Sequence, residues 1–118
     1  MTIKHSTGAL LSVLMICGSI LFSDIASADA IADGKKVAFD RRKGNCLACH
    51  MIPGGSLPGN IGPPLVAMKA RFPDKAALKQ QIWDATTKNP YTVMPPFGKN
   101  QILTEEEVDL VTEFIYSL

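Results

Sequence analysis

Two cysteines and one histidine fall within five consecutive residues, Cys46-Leu47-Ala48-Cys49-His50. Redox-active dithiols, zinc sites, disulfides and covalent haem attachment all use closely spaced cysteines. A redox dithiol would need an α/β context, and a structural zinc site would need a second cluster of ligands. The sequence shows neither of these features. A Cys46–Cys49 disulfide would close too short a loop to stabilise a domain appreciably. The motif therefore favours haem c as the cofactor. The haem would be attached covalently, because both thiols can bond to the vinyl groups at one edge of the porphyrin.

In this arrangement His50 follows the second cysteine directly and binds the iron from one face, so the iron needs a second axial ligand. No other histidine occurs beyond the first 28 residues, and a methionine is the remaining candidate. Met51 adjoins His50 and cannot easily reach the opposite face, whereas Met68 is expected to pack in the core. Met94 precedes Pro95-Pro96, which keep its loop extended and stiff. We therefore predict that His50 and Met94 are the axial ligands of the haem iron.

The Gly62-Pro63 pair supplies a candidate partner for the haem histidine. A metal-ligating histidine usually donates its other ring N–H to a carbonyl or carboxylate, which fixes the orientation of the ring. The carbonyl of Pro63 lies in a stiff segment shortly after the motif and could accept this bond from His50. The alternative is that Pro63 only shapes the loop of residues 53–64, which contains four prolines and four glycines.

Residues 1–28 are typical of a secretory signal peptide. A basic start at Lys4 precedes a charge-free, mostly apolar stretch over residues 9–22, and Ala26-Ser27-Ala28 offers a small-x-small cleavage pattern. A retained membrane anchor is the alternative, but this stretch is shorter than the roughly 17–25 residues that span a bilayer. Cleavage would leave one mono-haem domain, residues 29–118, in the periplasm, which agrees with the export that bacterial haem c attachment requires.

The overall composition excludes several classes of protein. The formal net charge is +1, and 47% of the residues are hydrophobic. A near-neutral charge argues against nucleic-acid binding, which needs a basic excess, and the apolar content argues against disorder. Residues 29–118 nevertheless form a short chain rich in proline and glycine, and such chains often need a cofactor to complete the core. Haem would supply that apolar volume.

Strand patterns are nearly absent, and the sequence predicts an all-α fold of about four helices wrapped around one haem. The first helix is predicted from Asp33 to about Arg42, and a short second helix starts at Pro64. A third opens at Pro73-Asp74 and is expected to end at Asn89-Pro90. The apolar positions that this third helix should bury are Leu78, Ile82 and Ala85.

The last helix has the clearest start signal, because Thr104 and Glu107 form a capping box. Its apolar stripe comprises Val108, Val111, Ile115 and Leu118. The residues expected to wall the haem pocket are Leu65, Phe72, Trp83, Phe97 and Val111. For Trp83 the alternative is a hydrogen bond from the indole N–H to a haem propionate.

Five basic residues cluster around the first helix and the approach to the motif: Lys35, Lys36, Arg41, Arg42 and Lys43. They could dock an acidic partner near the haem edge. They could equally form a solvated helix face, since basic residues late in a helix also suit the helix dipole. The sequence leaves both interpretations open.

The order of these features resembles that of class I mono-haem cytochromes c, and the resemblance covers residues 31–118. It implies a fold in which the first and last helices cross, with Gly34 or Ala38 as the contact. It also implies His50 and Met94 as axial ligands and Pro63 as the carbonyl that binds the haem histidine.

Three segments, residues 44–50, 59–65 and 89–98, further resemble the SoxX family, the small subunit of the SoxAX cytochrome of sulfur oxidation. The resemblance implies a periplasmic heterodimer with the larger cytochrome subunit SoxA, which couples thiosulfate to a cysteine of a carrier protein as an L-cysteine S-thiosulfotransferase. The small subunit would pass electrons to a downstream acceptor cytochrome, would not be catalytic alone, and would bind neither nucleic acid nor membrane. Two alternatives remain: a free-standing electron shuttle for another oxidase or dehydrogenase, and an enzyme or gas sensor with a displaceable Met94.

Overall fold

The computed structural model describes residues 22–118, with side chains from residue 27 onwards. Within this range two 3₁₀ turns, Cys46–Ala48 and Ala85–Thr87, accompany four α-helices: α1 (Phe22–Phe39), α2 (Met68–Arg71), α3 (Lys75–Trp83) and α4 (Glu105–Tyr116). The described residues contain no strand, so the predicted all-α fold is confirmed.

Helices α1 and α4 cross and form the centre of the fold. At the crossing Gly34 lies against the backbone of α4, so closely that a Cβ on Gly34 would be 1.9 Å from the carbonyl oxygen of Leu110. One turn later Ala38 is fully buried, and the rings of Phe39 and Phe114 meet edge to face with centroids 5.8 Å apart. The sequence left Gly34 and Ala38 as candidates for the helix contact, and the backbone contact lies at Gly34.

Gly34→Ala is expected to lower the free energy of unfolding by about 1–3 kcal/mol, because the added methyl group would push α1 away from α4. Chemical denaturation of the haem-loaded protein, followed by circular dichroism, measures this change. Ala32→Ser, at an exposed position of the same helix, is the matched control and should change the free energy of unfolding by less than about 0.5 kcal/mol. A Gly34→Ala variant as stable as the parent protein would contradict this packing.

Helix α4 begins where its capping box predicted. The N–H of Glu107 donates to Thr104 Oγ1 at 3.2 Å, and the N–H of Thr104 donates to the carboxylate of Glu107 at 3.0 Å. The helix therefore starts with two of its free backbone donors satisfied. Its predicted apolar stripe faces the core and consists of Val108, Val111, Ile115 and the partly buried Leu118.

Helix α3 opens at Asp74 as predicted, with the Asp74 carboxylate capping its first turn. It ends at Trp83, earlier than the predicted stop at Asn89-Pro90. The reason is local: the carboxylate of Asp84 accepts the N–H of Thr86 at 3.1 Å and starts the second 3₁₀ turn. The three apolar positions predicted for this segment are buried: Leu78, Ile82 and Ala85.

The predicted bounds of the first helix were wrong at both ends. Helix α1 already includes Phe22, the first residue that the structure describes, whereas the predicted start was Asp33. The residues between them include neither proline nor glycine, so nothing interrupts the helix there. It ends at Phe39 rather than near Arg42. There the chain turns back, and the N–H of Gly44 donates to the carbonyl of Val37 at 3.2 Å.

The second helix also starts later than predicted, at Met68 rather than Pro64. Two N–H groups before it bond to distant carbonyls: Leu65 donates to Met51 at 2.9 Å, and Ala67 donates to Leu118 at 3.0 Å. Because these bonds hold the segment in a non-helical path, the helix is reduced to a single turn.

The predicted signal peptide, residues 1–28, lies largely outside the described residues, and residues 22–28 belong to α1. Cleavage after Ala28 stays a prediction. Among residues 22–118, no helix has the length and apolar character needed to cross a membrane.

Candidate functional site

The Cys-x-x-Cys-His motif folds into a tight turn. Asn45 adopts a left-handed conformation with φ of 46°, which asparagine tolerates better than most residues, and the 3₁₀ turn Cys46–Ala48 follows it. The N–H groups of Cys49 and His50 both donate to the carbonyl of Cys46, at 3.2 and 2.9 Å. As a result, the side chains of Cys46, Cys49 and His50 line the same cavity.

The loop that follows the motif is hydrogen-bonded onto the motif backbone. The N–H of Gly59 donates to the carbonyl of Leu47 at 2.7 Å, and the N–H of Gly62 donates to the carbonyl of Cys49 at 2.8 Å. These two bonds carry the loop across the motif and bring Pro63 to the edge of the histidine ring.

The ring of His50 is oriented by the carbonyl of Pro63, whose oxygen lies 2.7 Å from Nδ1. Because a carbonyl can only accept, Nδ1 carries the proton and the lone pair of Nε2 is free to bind a metal. Gly62 permits this approach, since a Cβ at that position would lie 2.3 Å from the ring carbon Cε1 of His50. The arrangement is the one expected of a metal-ligating histidine held in a single orientation.

Met94 reaches the cavity from a loop that is fixed on both sides. Before the proline pair, the N–H of Met94 donates to Thr92 Oγ1 at 3.1 Å. After the proline pair, the N–H groups of Gly98 and Lys99 donate to the carbonyl of Trp83 at 3.1 and 3.2 Å. Met94 is partly buried and lines the same cavity as the motif.

An ion pair ties the end of α3 to this loop. Lys99 Nζ lies 2.8 Å from a carboxylate oxygen of Asp84, which is nearly buried. The hydrogen bond from Lys99, together with hydrogen bonds from Thr86, holds the pKa of Asp84 below its ordinary value. The pair therefore stabilises the loop at neutral pH, and this contribution is lost only as the pH falls below the usual range of an aspartate.

The side chains of Cys46, Cys49, His50 and Met94 share one cavity of about 560 Å³, a size typical of cofactor pockets. Much of the remaining wall is apolar and includes Leu65, Met68, Phe72, Leu78, Ile82, Phe97, Leu103, Val111 and Ile115. Four of the five predicted wall residues are among them. The fifth, Trp83, lies elsewhere: it lines a second cavity with Gly98 and Lys99.

The two motif cysteines are not joined by a disulfide. Burial raises the pKa of the Cys46 thiol to about 11, because desolvation disfavours the thiolate. The Cys46 thiol by itself is therefore a poor nucleophile at neutral pH. Within the described part of the chain, no three side chains of His, Cys, Asp or Glu are grouped to hold a metal ion by themselves.

Gln81 and Arg71 are polar residues of the cavity wall that were not predicted from the sequence. Nε2 of Gln81 lies 3.9 Å from the sulfur of Met94. The guanidinium of Arg71 donates to the carbonyl of Pro64 at 2.7 Å, next to the segment that holds the histidine. Each follows an apolar wall residue by three positions, so helical spacing could have indicated that both face the cavity.

The predicted basic cluster divides into two parts. Lys36 forms an ion pair within α1, and Lys43 forms one with Glu107. Arg41 and Arg42 are exposed and lie at the wall of the cavity. Lys43 is likewise exposed at the cavity wall. The helix-face interpretation therefore suits Lys35 and Lys36, which are exposed on α1, whereas Arg41, Arg42 and Lys43 are exposed beside the cavity in the way that docking would require.

Comparison with known proteins identifies the family. The family model described as cytochrome C oxidase, cbb3-type, subunit III matches residues 29–115. The chain belongs to this cytochrome c family. Four chains of solved structures also match, among them one in the crystal structure of SoxXA from P. pantotrophus, with 26% sequence identity and a TM-score of 0.65. That match covers 73% of this cytochrome and 79% of the other chain. No curated protein matches the chain.

The protein is thus a c-type cytochrome with a class I cytochrome c-like fold, similar to a chain of SoxXA, and its role is electron transfer. Members of the family carry haem c bound covalently, and so does this cytochrome. The residues present fit that group, because two thiols, an imidazole with a free Nε2 and a thioether converge on one cavity with a mainly apolar wall. The crossing helices, the loop that carries Pro63 and the loop that carries Met94 hold these donors around the cavity.

Proposed function

We propose that this cytochrome is the small, electron-transferring subunit of a SoxAX-type complex. The observation that carries the proposal is its likeness to a chain of SoxXA at 26% identity over most of both chains. The three SoxX-like sequence segments, residues 44–50, 59–65 and 89–98, each contribute to the wall of the cavity. The sequence resemblance in these three segments therefore lies around the cavity, which supports the proposal.

Within this proposal, Cys46 and Cys49 hold the haem by thioether bonds, and His50 and Met94 are its axial ligands. When bound, the haem supplies a one-electron couple between ferric and ferrous iron. The carbonyl of Pro63 keeps the proton on Nδ1 of His50 and so leaves Nε2 for the iron. The shared cavity and the 2.7 Å contact of His50 with Pro63 support this assignment.

Two consequences follow for the chemistry of the chain. With both axial positions taken by protein side chains, no open site is left for a substrate, so this subunit moves electrons without binding thiosulfate. A thioether ligand and an apolar wall that excludes water both favour the reduced state. The resulting high reduction potential suits an electron acceptor.

The reaction that we propose for the whole complex joins thiosulfate to a cysteine thiol of a carrier protein. A sulfur–sulfur bond forms, the thiol proton is released, and two electrons leave. We propose that SoxA hosts this coupling and that the present subunit receives the electrons one at a time and passes them to a further cytochrome. The location would be the periplasm, reached after removal of residues 1–28.

The test is co-expression of this cytochrome with a SoxA subunit, followed by addition of carrier protein and thiosulfate. We expect the two cytochromes to elute together as a heterodimer in size-exclusion chromatography. We also expect thiosulfate to reduce the haem of this subunit, seen in its absorbance spectrum, only when SoxA and carrier are both present. The same mixture without carrier is the matched control.

A cytochrome that elutes as a monomer beside SoxA and stays oxidised in the complete mixture would contradict the proposal. That result would favour the free-standing electron shuttle for another oxidase or dehydrogenase, which needs the same haem site but no stable partner.

A further inference from the structure

Helix α3 presents an amide to an otherwise apolar part of the cavity wall. Leu78 and Ile82 are buried and line the cavity, and Gln81 lines it beside them. The neighbouring Gln80 is exposed on the same helix. An amide that is partly withdrawn from water loses hydration, and only a hydrogen bond offsets that loss. Gln81 is partly buried, and a hydrogen bond within the cavity offsets the hydration that its amide loses.

The partner of Gln81 is the sulfur of Met94. Nε2 lies 3.9 Å from Sδ, a distance suited to the large radius of sulfur. A thioether sulfur is a weak acceptor, and its two lone pairs allow it to accept this N–H while it also binds a metal. Oε1 of the amide cannot replace Nε2, because oxygen and sulfur are both acceptors. The backbone N–H of Met94 is held separately by Thr92, so Gln81 acts on the sulfur and not on the path of the loop.

We propose that Gln81 is a positioning residue that raises the reduction potential of this cytochrome by donating a hydrogen bond to the sulfur of Met94. The inference rests on the proposed ligation of the iron by Met94 and deepens it. The N–H draws electron density from the sulfur and makes Met94 a poorer electron donor. Weaker donation from the sulfur destabilises ferric iron more than ferrous iron, and this difference raises the reduction potential. Hydrogen bonds to a ligand are a recognised means of tuning the reduction potential of a haem protein.

The experiment compares Gln81→Leu with Gln80→Leu in the haem-loaded protein. Both changes remove one amide from α3, but only the first removes the donor to the sulfur. We expect the midpoint potential, measured by spectroelectrochemistry, to shift to a lower value in Gln81→Leu and to stay at the parent value in Gln80→Leu. The optical spectrum of Gln81→Leu should keep the signature of methionine ligation.

Gln81→Glu tests the hydrogen bond through the pH dependence of the reduction potential, which a purely structural role of Gln81 would not change. A protonated carboxyl can donate its O–H to the sulfur, whereas the carboxylate cannot donate and adds negative charge. The potential of this variant should therefore be close to the parent value at low pH and fall as the introduced carboxyl loses its proton. Gln81→Leu should lack this pH-dependent step.

An unchanged potential in Gln81→Leu, or an equal shift in Gln80→Leu, would overturn the inference. Met94→Ala, measured in parallel, separates this outcome from failure of the proposed ligation. If Met94→Ala loses the methionine signature while Gln81→Leu keeps the parent potential, the ligation stands and only the role of Gln81 is wrong. If Met94→Ala keeps the parent spectrum, the ligation itself is wrong and the inference falls with it.

Discussion

Replacing Cys46 and Cys49 together by alanine is expected to leave a chain that holds no covalent haem and is largely unfolded. The cavity between the two loops has a volume of about 560 Å³. Without haem, water would enter this open cavity, and the apolar side chains of its wall would lose the burial that stabilises the fold. A typical domain is stable by only about 5–15 kcal/mol, so the loss of this burial is expected to unfold the chain.

Two measurements on the purified double variant check this expectation: haem absorbance after extraction with acidified acetone, and far-ultraviolet circular dichroism. The single variant Cys46→Ala is the graded control, because one thioether bond should still retain the haem and much of the helical signal. A double variant that lacks haem yet shows the helical signal and cooperative unfolding of the parent would refute the view that haem completes the core.

Met94→Ala is expected to open the sixth coordination position of the iron while leaving the protein folded. Met94 is only partly buried, and the loop on either side keeps its own hydrogen bonds to Thr92 and Trp83. The variant should become high-spin or water-ligated, bind added carbon monoxide or cyanide rapidly, and have a lower reduction potential than the parent.

Absorbance spectroscopy with and without these ligands measures the change. Met51→Ala is the matched control, because Met51 adjoins His50 in sequence but is 39% exposed and is not part of the cavity wall. An unchanged spectrum in Met94→Ala would exclude Met94 as the ligand. It would direct attention to Met68, which also lines the cavity. Rapid ligand binding by the parent protein itself would instead favour the enzyme or sensor interpretation.

The elements that the sequence predicted best are those determined by neighbours in the chain. The capping box of Thr104 and Glu107 is complete within four residues, and Asp74 caps α3 in the same local way. The motif from Cys46 to His50 is likewise a single turn held by its own backbone bonds. In each case the hydrogen bonds that decide the structure join residues close together in sequence.

The boundaries that the sequence missed depend on distant partners. The start of α2 is set by bonds from Leu65 to Met51 and from Ala67 to Leu118, and no local pattern reports these. The choice between Gly34 and Ala38 at the helix crossing is similar, because two small residues one turn apart look equivalent until α4 is in place.

The candidate site shows the same division. The sequence indicated the motif, Pro63 and Met94 from residue types and spacing, and these residues meet around one cavity. Gln81 was missed because a polar residue in a helix is ordinarily expected to face water. Trp83 was expected in the cavity wall, but its carbonyl holds the Met94 loop and its ring lies against Gly98.

The central claim is that His50 and Met94 bind one haem iron from opposite faces, and proton NMR of the ferrous protein tests it most directly. The ring current of the porphyrin shifts the methyl group of an axial methionine far upfield, away from every other methionine. We predict one such resonance in the parent protein and none in Met94→Ala. The absence of any shifted methionine methyl in the parent, or its persistence in Met94→Ala, would contradict the account.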